Sequence, residues 1–388
     1  MKKVLFLPLF TMNSGHHQAA SALMEAFSRE NPSIICEKID FLSYVSKPLE
    51  HVISTQYLNG IKYFSGSYNT FYKHFFKKTS RVMQYTYELL FLEKMEMLIT
   101  QKQPDLIICT HSFPSFLISK LKEYGVCEIP VINCYTDFFK NSLWGGERID
   151  WHFVPSADFK QQLIEESVSP DQIVITGILT NDAFKRKKRE KRINKEKLHV
   201  LIAGGSQGVG DHFSLLDKVE ESVEYRVLCG SNHQLYQKLS ELKSSSIIPL
   251  SYISSPQTMN ELYDWADVLV TKPGGVTTSE ALKKNLPIFV HSVLPGQEEI
   301  NVEYLQEKGF IYRLNDEEPL IQQIQAKLDN EAMAFKMRKN SNQYFDEMEV
   351  QSNTDLFHFI EDRMMNDAKV QDARLDLIFS KIYSTLMR

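Results

Sequence analysis

The 388-residue chain lacks the features of a disulfide scaffold, a zinc module or a membrane-spanning protein. Its five cysteines, Cys36, Cys109, Cys127, Cys134 and Cys229, include no Cys-x-x-Cys pair, and most lie in apolar, strand-like runs. Buried free thiols in a reducing compartment fit this pattern better than disulfides or metal ligands. No apolar run approaches the roughly 18 residues that a spanning helix needs. The formal charge is only −5, so bulk charge gives no footing for nucleic-acid binding. There is no internal repeat of short fixed period. The opening residues Met1 to Phe10 place two lysines before apolar residues, as a signal peptide does. That run is short, contains Pro8 and leads straight into Gly15-His16, so a first buried strand is the better reading.

What is present is an ordinary globular composition, 43% hydrophobic and 24% charged, at a length that suits two domains. The most informative stretch is Asp267 to Asn301. Val268 to Thr271 reads as a buried strand, and Pro273, Gly274 and Gly275 as a tight loop. A helix is expected over Thr277 to Asn285, with hydroxyls at its N-cap. Pro287 to His291 is a second strand, and the turn at Pro295-Gly296 leads to a helix carrying Gln297, Glu298 and Asn301. In such units ligands bind outside the carboxyl ends of the strands. Backbone N–H groups at the first loop suit phosphate, and the Glu280 carboxylate suits vicinal hydroxyls. With Lys272 beside them, these groups suggest a nucleotide sugar. Two ordinary α/β turns are the plainer alternative.

Three segments, Thr271–Gly275, Ser279-Glu280-Ala281 and Leu294–Glu299, resemble in order the donor-site motifs of glycosyltransferase family 28. That family includes bacterial diacylglycerol glucosyltransferases, plant monogalactosyldiacylglycerol synthases and, more distantly, the lipid II N-acetylglucosaminyltransferases. The resemblance covers Met1 to about Phe310. It implies the α/β fold called GT-B, two Rossmann-like domains facing across a cleft.

The N-terminal half fits that expectation. Val4 to Leu9 is a strand, Thr11 to His17 a polar loop, and Gln18 to Arg29 an amphipathic helix. His16 and His17 stand at its mouth, where the helix dipole favours neutral imidazole, a form able to act as a general base. Capping or packing is the other reading. Gly15-His16 with Ala19 and Ala20 resembles the family's acceptor-side loop, although Asn13 and Ser14 replace its glycines. Ser33 to Asp40 reads as a second strand. Phe41 to Glu96 interleaves aromatics with cations, among them Tyr68, Phe71, Tyr72, Phe75, Phe76, Lys77 and Lys78. Such a segment is either a membrane interface or the core of a helical insertion with a solvated basic face; the resemblance favours membrane docking and lipid entry. Strands follow at Asp105–Thr110 and Pro130–Tyr135. His111, just past the first of these, faces the cleft or packs in a turn. Thr136-Asp137 resembles a family motif in which Asp137 orients His16 or takes the acceptor proton itself. Asn141 stands where the family carries a histidine, and Leu179 and Asn181 replace its usual Pro and Arg.

After a basic run, Leu198 to Ala203 is a strand opening the second half. Gly204, Gly205 and Ser206 follow, in a spacing that is not the dinucleotide fingerprint, but glycines there let a pyrophosphate approach the backbone. By resemblance this is the diphosphate loop, and the backbone near Ile253 receives uracil. The expected organisation is an acceptor and membrane-docking domain over 1–180, a linker over 181–197, and a UDP-sugar donor domain over 198–345. A helical tail over 346–388 packs back on the first domain.

Together these imply an inverting hexosyltransferase, with a UDP-hexose as donor and a membrane lipid, diacylglycerol, as acceptor. No cofactor and no metal are expected, since the UDP-sugar is a substrate. The expected place is cytoplasmic, peripheral at the inner face of the cell membrane. His16 and Asp137 form the catalytic pair. Gln297, Glu298 and Asn301 read the sugar. A sugar-nucleotide 2-epimerase of the same fold and a non-catalytic UDP-sugar sensor are the alternatives.

Overall fold

The computed structural model describes residues 1–9, 14–46, 81–187, 197–206, 208, 216, 220–291, 293, 297–315 and 317–365. The chain divides into two compact units: Met1–Met12, His16–Leu179 and Met348–Arg388 in one, Asn13–Gly15 and Thr180–Glu347 in the other.

The first unit is built on β1 (Lys3–Leu7), β2 (Ile35–Lys38), β3 (Leu106–Cys109), β4 (Val131–Cys134), β5 (Trp151–Val154) and β6 (Ile173–Ile175). They form one sheet in the order β2-β1-β3-β4-β5-β6, every pair parallel. Its helices among the described residues are α1 (Gly15–Glu30), α2 (Phe41–Val45), α3 (Arg81–Lys102), α4 (Ser112–Glu123), α5 (Ala157–Glu165) and α12 (Asn353–Ile360). The apolar runs of β1, β3 and β4 are continuous because both sheet faces are covered. Successive residues alternate between two cores. Leu5, Leu7, Ile107, Cys109 and Val131 pack on one side with Leu117 and Leu121 of α4. Val4, Phe6, Leu106, Ile108 and Ile132 pack on the other with Leu23 and Phe27 of α1 and Phe357 of α12. Strand β2 is an edge strand, and its short exposed run Ile35–Lys38 replaces the longer expected strand. Asp40, expected in that strand, instead caps α2 by accepting from the N–H groups of Leu42 and Ser43.

The second unit repeats the scheme with β7 (Leu198–Ala203), β8 (Val223–Leu228), β9 (Ile247–Leu250), β10 (Val268–Thr271), β11 (Ile288–Val290) and β12 (Tyr312–Arg313), in the parallel order β12-β11-β10-β7-β8-β9. Helices α6 (His233–Glu241), α7 (Pro256–Trp265), α8 (Gly275–Lys283), α9 (Gln297–Glu307), α10 (Leu320–Leu328) and α11 (Glu331–Asp346) accompany it. Val200, Ile202, Tyr225, Val227, Val268 and Val270 share one core with Leu320 and Ile324 of α10. The fold is the GT-B pair of Rossmann-like units.

Each sheet has one point where the strand order reverses: between β1 and β3 in the first unit, between β7 and β10 in the second. The loops leaving the carboxyl ends of those strands are where an open parallel sheet binds ligands.

Candidate active site

In the first unit the reversal gathers residues from three strand ends. His16 lies in the first turn of α1, which starts at Gly15, not at the expected Gln18. Its Nδ1 is 2.8 Å from the Thr110 carbonyl oxygen, just past β3, and 2.7 Å from Thr136 Oγ1, just past β4. A carbonyl can only accept, so Nδ1 carries the proton. The neutral ring therefore presents its lone pair at Nε2. Burial pushes the His16 imidazole below the ordinary histidine range, and the Asp137 charge and the Thr110 hydrogen bond push part of the way back. The site thus holds a neutral base with groups already placed to stabilise its protonated form.

His111 is the residue whose place in the site the sequence left open. It is the N-cap of α4, its Nδ1 accepting from Phe113 N–H at 3.1 Å. Its ring meets that of His16 edge to face, with centroids 4.7 Å apart. Asn141 takes a bracing role: its Nδ2 donates to Ser112 Oγ and its Oδ1 accepts from Leu143 N–H.

In the second unit Thr271 Oγ1, at the end of β10, donates to the Ala203 carbonyl at the end of β7, tying the two loops together. Past β7, Gly205 has φ +72°, and a Cβ there would meet nothing within 4 Å. Gly208, with φ +58°, has no such room, since a Cβ would stand 1.9 Å from the Cys229 carbonyl oxygen. That contact and the Ser231 N–H to Ser206 carbonyl bond pack the glycine loop onto the turn after β8.

Past β10, α8 starts two residues earlier than expected, and its N-cap is Gly274 with no side-chain cap. Thr277, the expected start of the helix, lies inside it, and the next two hydroxyls, Thr278 and Ser279, are buried there without hydrogen-bond partners among the described residues. A helix start capped by backbone alone keeps its first N–H groups clear of a capping side chain, an arrangement that suits an anion.

Glu280 on α8 is 8% exposed, and Tyr263 of α7 donates to its Oε2 at 2.8 Å. Burial pushes this carboxyl up to about 7 against the opposing pull of Tyr263 and Lys283. Lys272 is lowered by burial and raised by the Glu298 charge, which couples the loop after β10 to α9. Asn301 is buried and donates to the Pro273 carbonyl at 3.2 Å, so its amide braces that loop. Ile253 lies between β9 and α7, half-buried.

Thus Gly204, Gly205, Ser206, Lys272, Gly274 and Gly275 belong to the loops and the helix start that follow β7 and β10, Glu298 lies in the first turn of α9, and Glu280 and Asn301 lie further along α8 and α9. His16 and Asp137 stand at the corresponding end of the first. The side chain of Gln297 lies outside the described residues, as do Tyr68, Phe71, Tyr72, Phe75, Phe76, Lys77 and Lys78. No helix among the described residues is long and apolar enough to cross a membrane.

Comparison with known proteins agrees with this picture. Residues 16–179 match the family model for monogalactosyldiacylglycerol (MGDG) synthase, and residues 199–353 match the glycosyltransferase family 28 C-terminal domain. The chain is 36% identical over 357 residues to the uncharacterized glycosyltransferase YkoN of Bacillus subtilis, covering 90% of this chain and 94% of the relative. It is 27% identical to a processive diacylglycerol beta-glucosyltransferase of Bacillus pumilus, covering 87% and 90%. Among solved structures, MurG of Acinetobacter baumannii covers 95% of this chain and all of its own, at TM-score 0.57 and 13% identity. The S. aureus MnaA–UDP structure covers 96% of this chain and all of its own, at TM-score 0.58 and 14% identity. These two likenesses concern the fold alone. The sequence relatives decide the lineage: the chain is a glycosyltransferase, and it belongs to the family that joins an MGDG-synthase-type N-terminal domain to a glycosyltransferase family 28 C-terminal domain.

Proposed function

We propose that the protein transfers a hexose from a UDP-sugar to a membrane lipid, diacylglycerol, with inversion at the anomeric carbon. The observation that carries this reading is the His16 tautomer, with Nδ1–H committed to Thr110 and Nε2 left to accept a proton. The acceptor hydroxyl gives its proton to Nε2 as its oxygen bonds to the anomeric carbon. The bond from that carbon to the diphosphate oxygen breaks in line, and UDP departs with the electron pair. Asp137 and the Thr110 carbonyl stabilise the imidazolium so formed. General-base action of this kind contributes typically about 10²–10⁴-fold.

The departing diphosphate is received by main-chain N–H groups after β7 and at the start of α8, where the helix dipole favours negative charge. Glu280 accepts from the ribose hydroxyls, and the backbone near Ile253 takes the uracil. Gln297, Glu298 and Asn301 read the sugar, and Asn301 also braces the loop after β10 through its bond to Pro273. No step of this reading calls for a metal ion. A lipid acceptor places the reaction at a membrane surface, which we take to be the inner face of the cell membrane. Support for the lipid comes from the diacylglycerol glucosyltransferase relatives. The test is incubation with diacylglycerol vesicles and each UDP-hexose in turn, with the product anomer assigned by nuclear magnetic resonance. One new glycolipid of inverted configuration is expected. Transfer only to water, or retention of configuration, contradicts the reading.

A further inference from the structure

The His16 ring has a neighbour to which the proposed mechanism gives no part. His111 stands 95 positions away in sequence, yet the two imidazoles touch edge to face with centroids 4.7 Å apart. The His111 ring is itself fixed by its own backbone. Its Nδ1 accepts the Phe113 N–H at the start of α4, so that nitrogen carries no proton and the neutral ring holds its proton on Nε2. A second proton would have to displace the cap and would set a cation at the positive end of the α4 dipole, against His16. Burial and the neighbouring His16 both hold His111 well below the ordinary histidine range.

The two contacts at His16 Nδ1 anchor one atom of its ring and leave the tilt about that atom to packing. Among the described residues the titratable groups that act on the two rings are Asp137, from the segment after β4, and the two histidines themselves, His111 at the start of α4. Protonating His111 would break its cap, so the cap favours His16 as the imidazole that takes a proton.

We propose that His111 is a positioning residue for the His16 base: its capped, neutral ring holds the His16 imidazole at its working tilt and excludes water from that side. This rests on the reading of His16 as the general base.

Two substitutions separate the ring from the cap. His111→Asn keeps an N-cap acceptor and removes the ring; His111→Phe keeps a ring and removes the cap. With His111→Asn, kcat should fall about 10- to 100-fold, the scale of a misplaced reacting group, while the donor KM stays unchanged. The acid limb of kcat/KM should move to higher pH as water reaches His16. His111→Phe should melt earlier yet keep the acid limb of the unsubstituted protein. Histidine-labelled nuclear magnetic resonance reads the same shift without turnover: the His16 ring should titrate at higher pH in His111→Asn. Unchanged kcat and titration in His111→Asn overturn the proposal, as does equal damage by both substitutions with no change in pH profile. His16→Ala belongs in the same series. If it keeps turnover, the base reading itself fails; if it is inactive while His111→Asn is normal, only the role of His111 fails.

Discussion

Replacing Glu280 with glutamine should make the protein more stable and a poorer nucleotide binder at once. The carboxyl is 8% exposed and receives the Tyr263 hydroxyl, with burial raising it from the ordinary value of 4.5 to about 7. A folded-state value above the unfolded one means that the native protein binds more protons between those limits. Stability from this group is complete below about pH 4.5 and is lost as pH rises through about 7. At 1.36 kcal/mol per tenfold, the loss at pH 8 is on the order of 3 kcal/mol. Glutamine has the same shape, bears no charge, and its carbonyl can still accept from Tyr263. The variant should therefore gain about 1–3 kcal/mol at pH 8, or several degrees in Tm at about 2–4 °C per kcal/mol, and gain nothing at pH 4.5. On the proposed reading the same change also removes a charged acceptor from the ribose hydroxyls, worth about 1.5–3 kcal/mol per hydrogen bond. UDP should then bind at least about tenfold more weakly. Thermal scans at the two pH values, with and without UDP, read both effects together. A variant that melts earlier at pH 8, or that binds UDP as well as the unsubstituted protein, refutes the reasoning.

Other outcomes follow from the same geometry. Thr136→Val keeps the shape but removes the oxygen beside His16 Nδ1, so turnover should drop about tenfold, roughly one neutral hydrogen bond, with UDP affinity unchanged by calorimetry. The acid limb of kcat/KM should lie below the ordinary histidine value of about 6.5, because burial lowers His16; a limb above that value contradicts the assignment. Gly208→Ala must displace the Cys229 carbonyl and should cost several kcal/mol in a denaturant melt, whereas Gly205→Ala meets open space and should cost only about 1–2 kcal/mol of left-handed strain. If main-chain N–H groups receive the diphosphate as proposed, turnover should persist after exhaustive chelation; abolition by chelator, restored by a divalent ion, argues against that arrangement.

The strands and the loops that follow them were legible because buried parallel strands write themselves as short apolar runs, and because Gly204-Gly205 and Pro273-Gly274-Gly275 punctuate their carboxyl ends. The contacts between those loops were not. His16 meets Thr110, His111 and Thr136 only because the sheet order brings β1, β3 and β4 side by side, and no local pattern states that order. Tyr263 under Glu280 has the same cause: a tyrosine on one helix stripe looks like any core residue until the next helix is docked against it. The start of α8 is not legible in the sequence because hydroxyls are the common caps, whereas Gly274 caps with backbone alone. The hydrogen bond from Asn301 to the Pro273 carbonyl, which joins α9 to the loop after β10, is likewise stated by no local pattern.

The most direct test of the account is transfer of label from a panel of UDP-hexoses into total bacterial lipid, comparing the protein with His16→Ala. Label in the organic phase, lowered by at least about 100-fold in the variant while UDP binding is retained, is the predicted result. Label that persists in the variant contradicts His16 as the base, and no label from any donor despite measurable UDP binding contradicts the lipid acceptor.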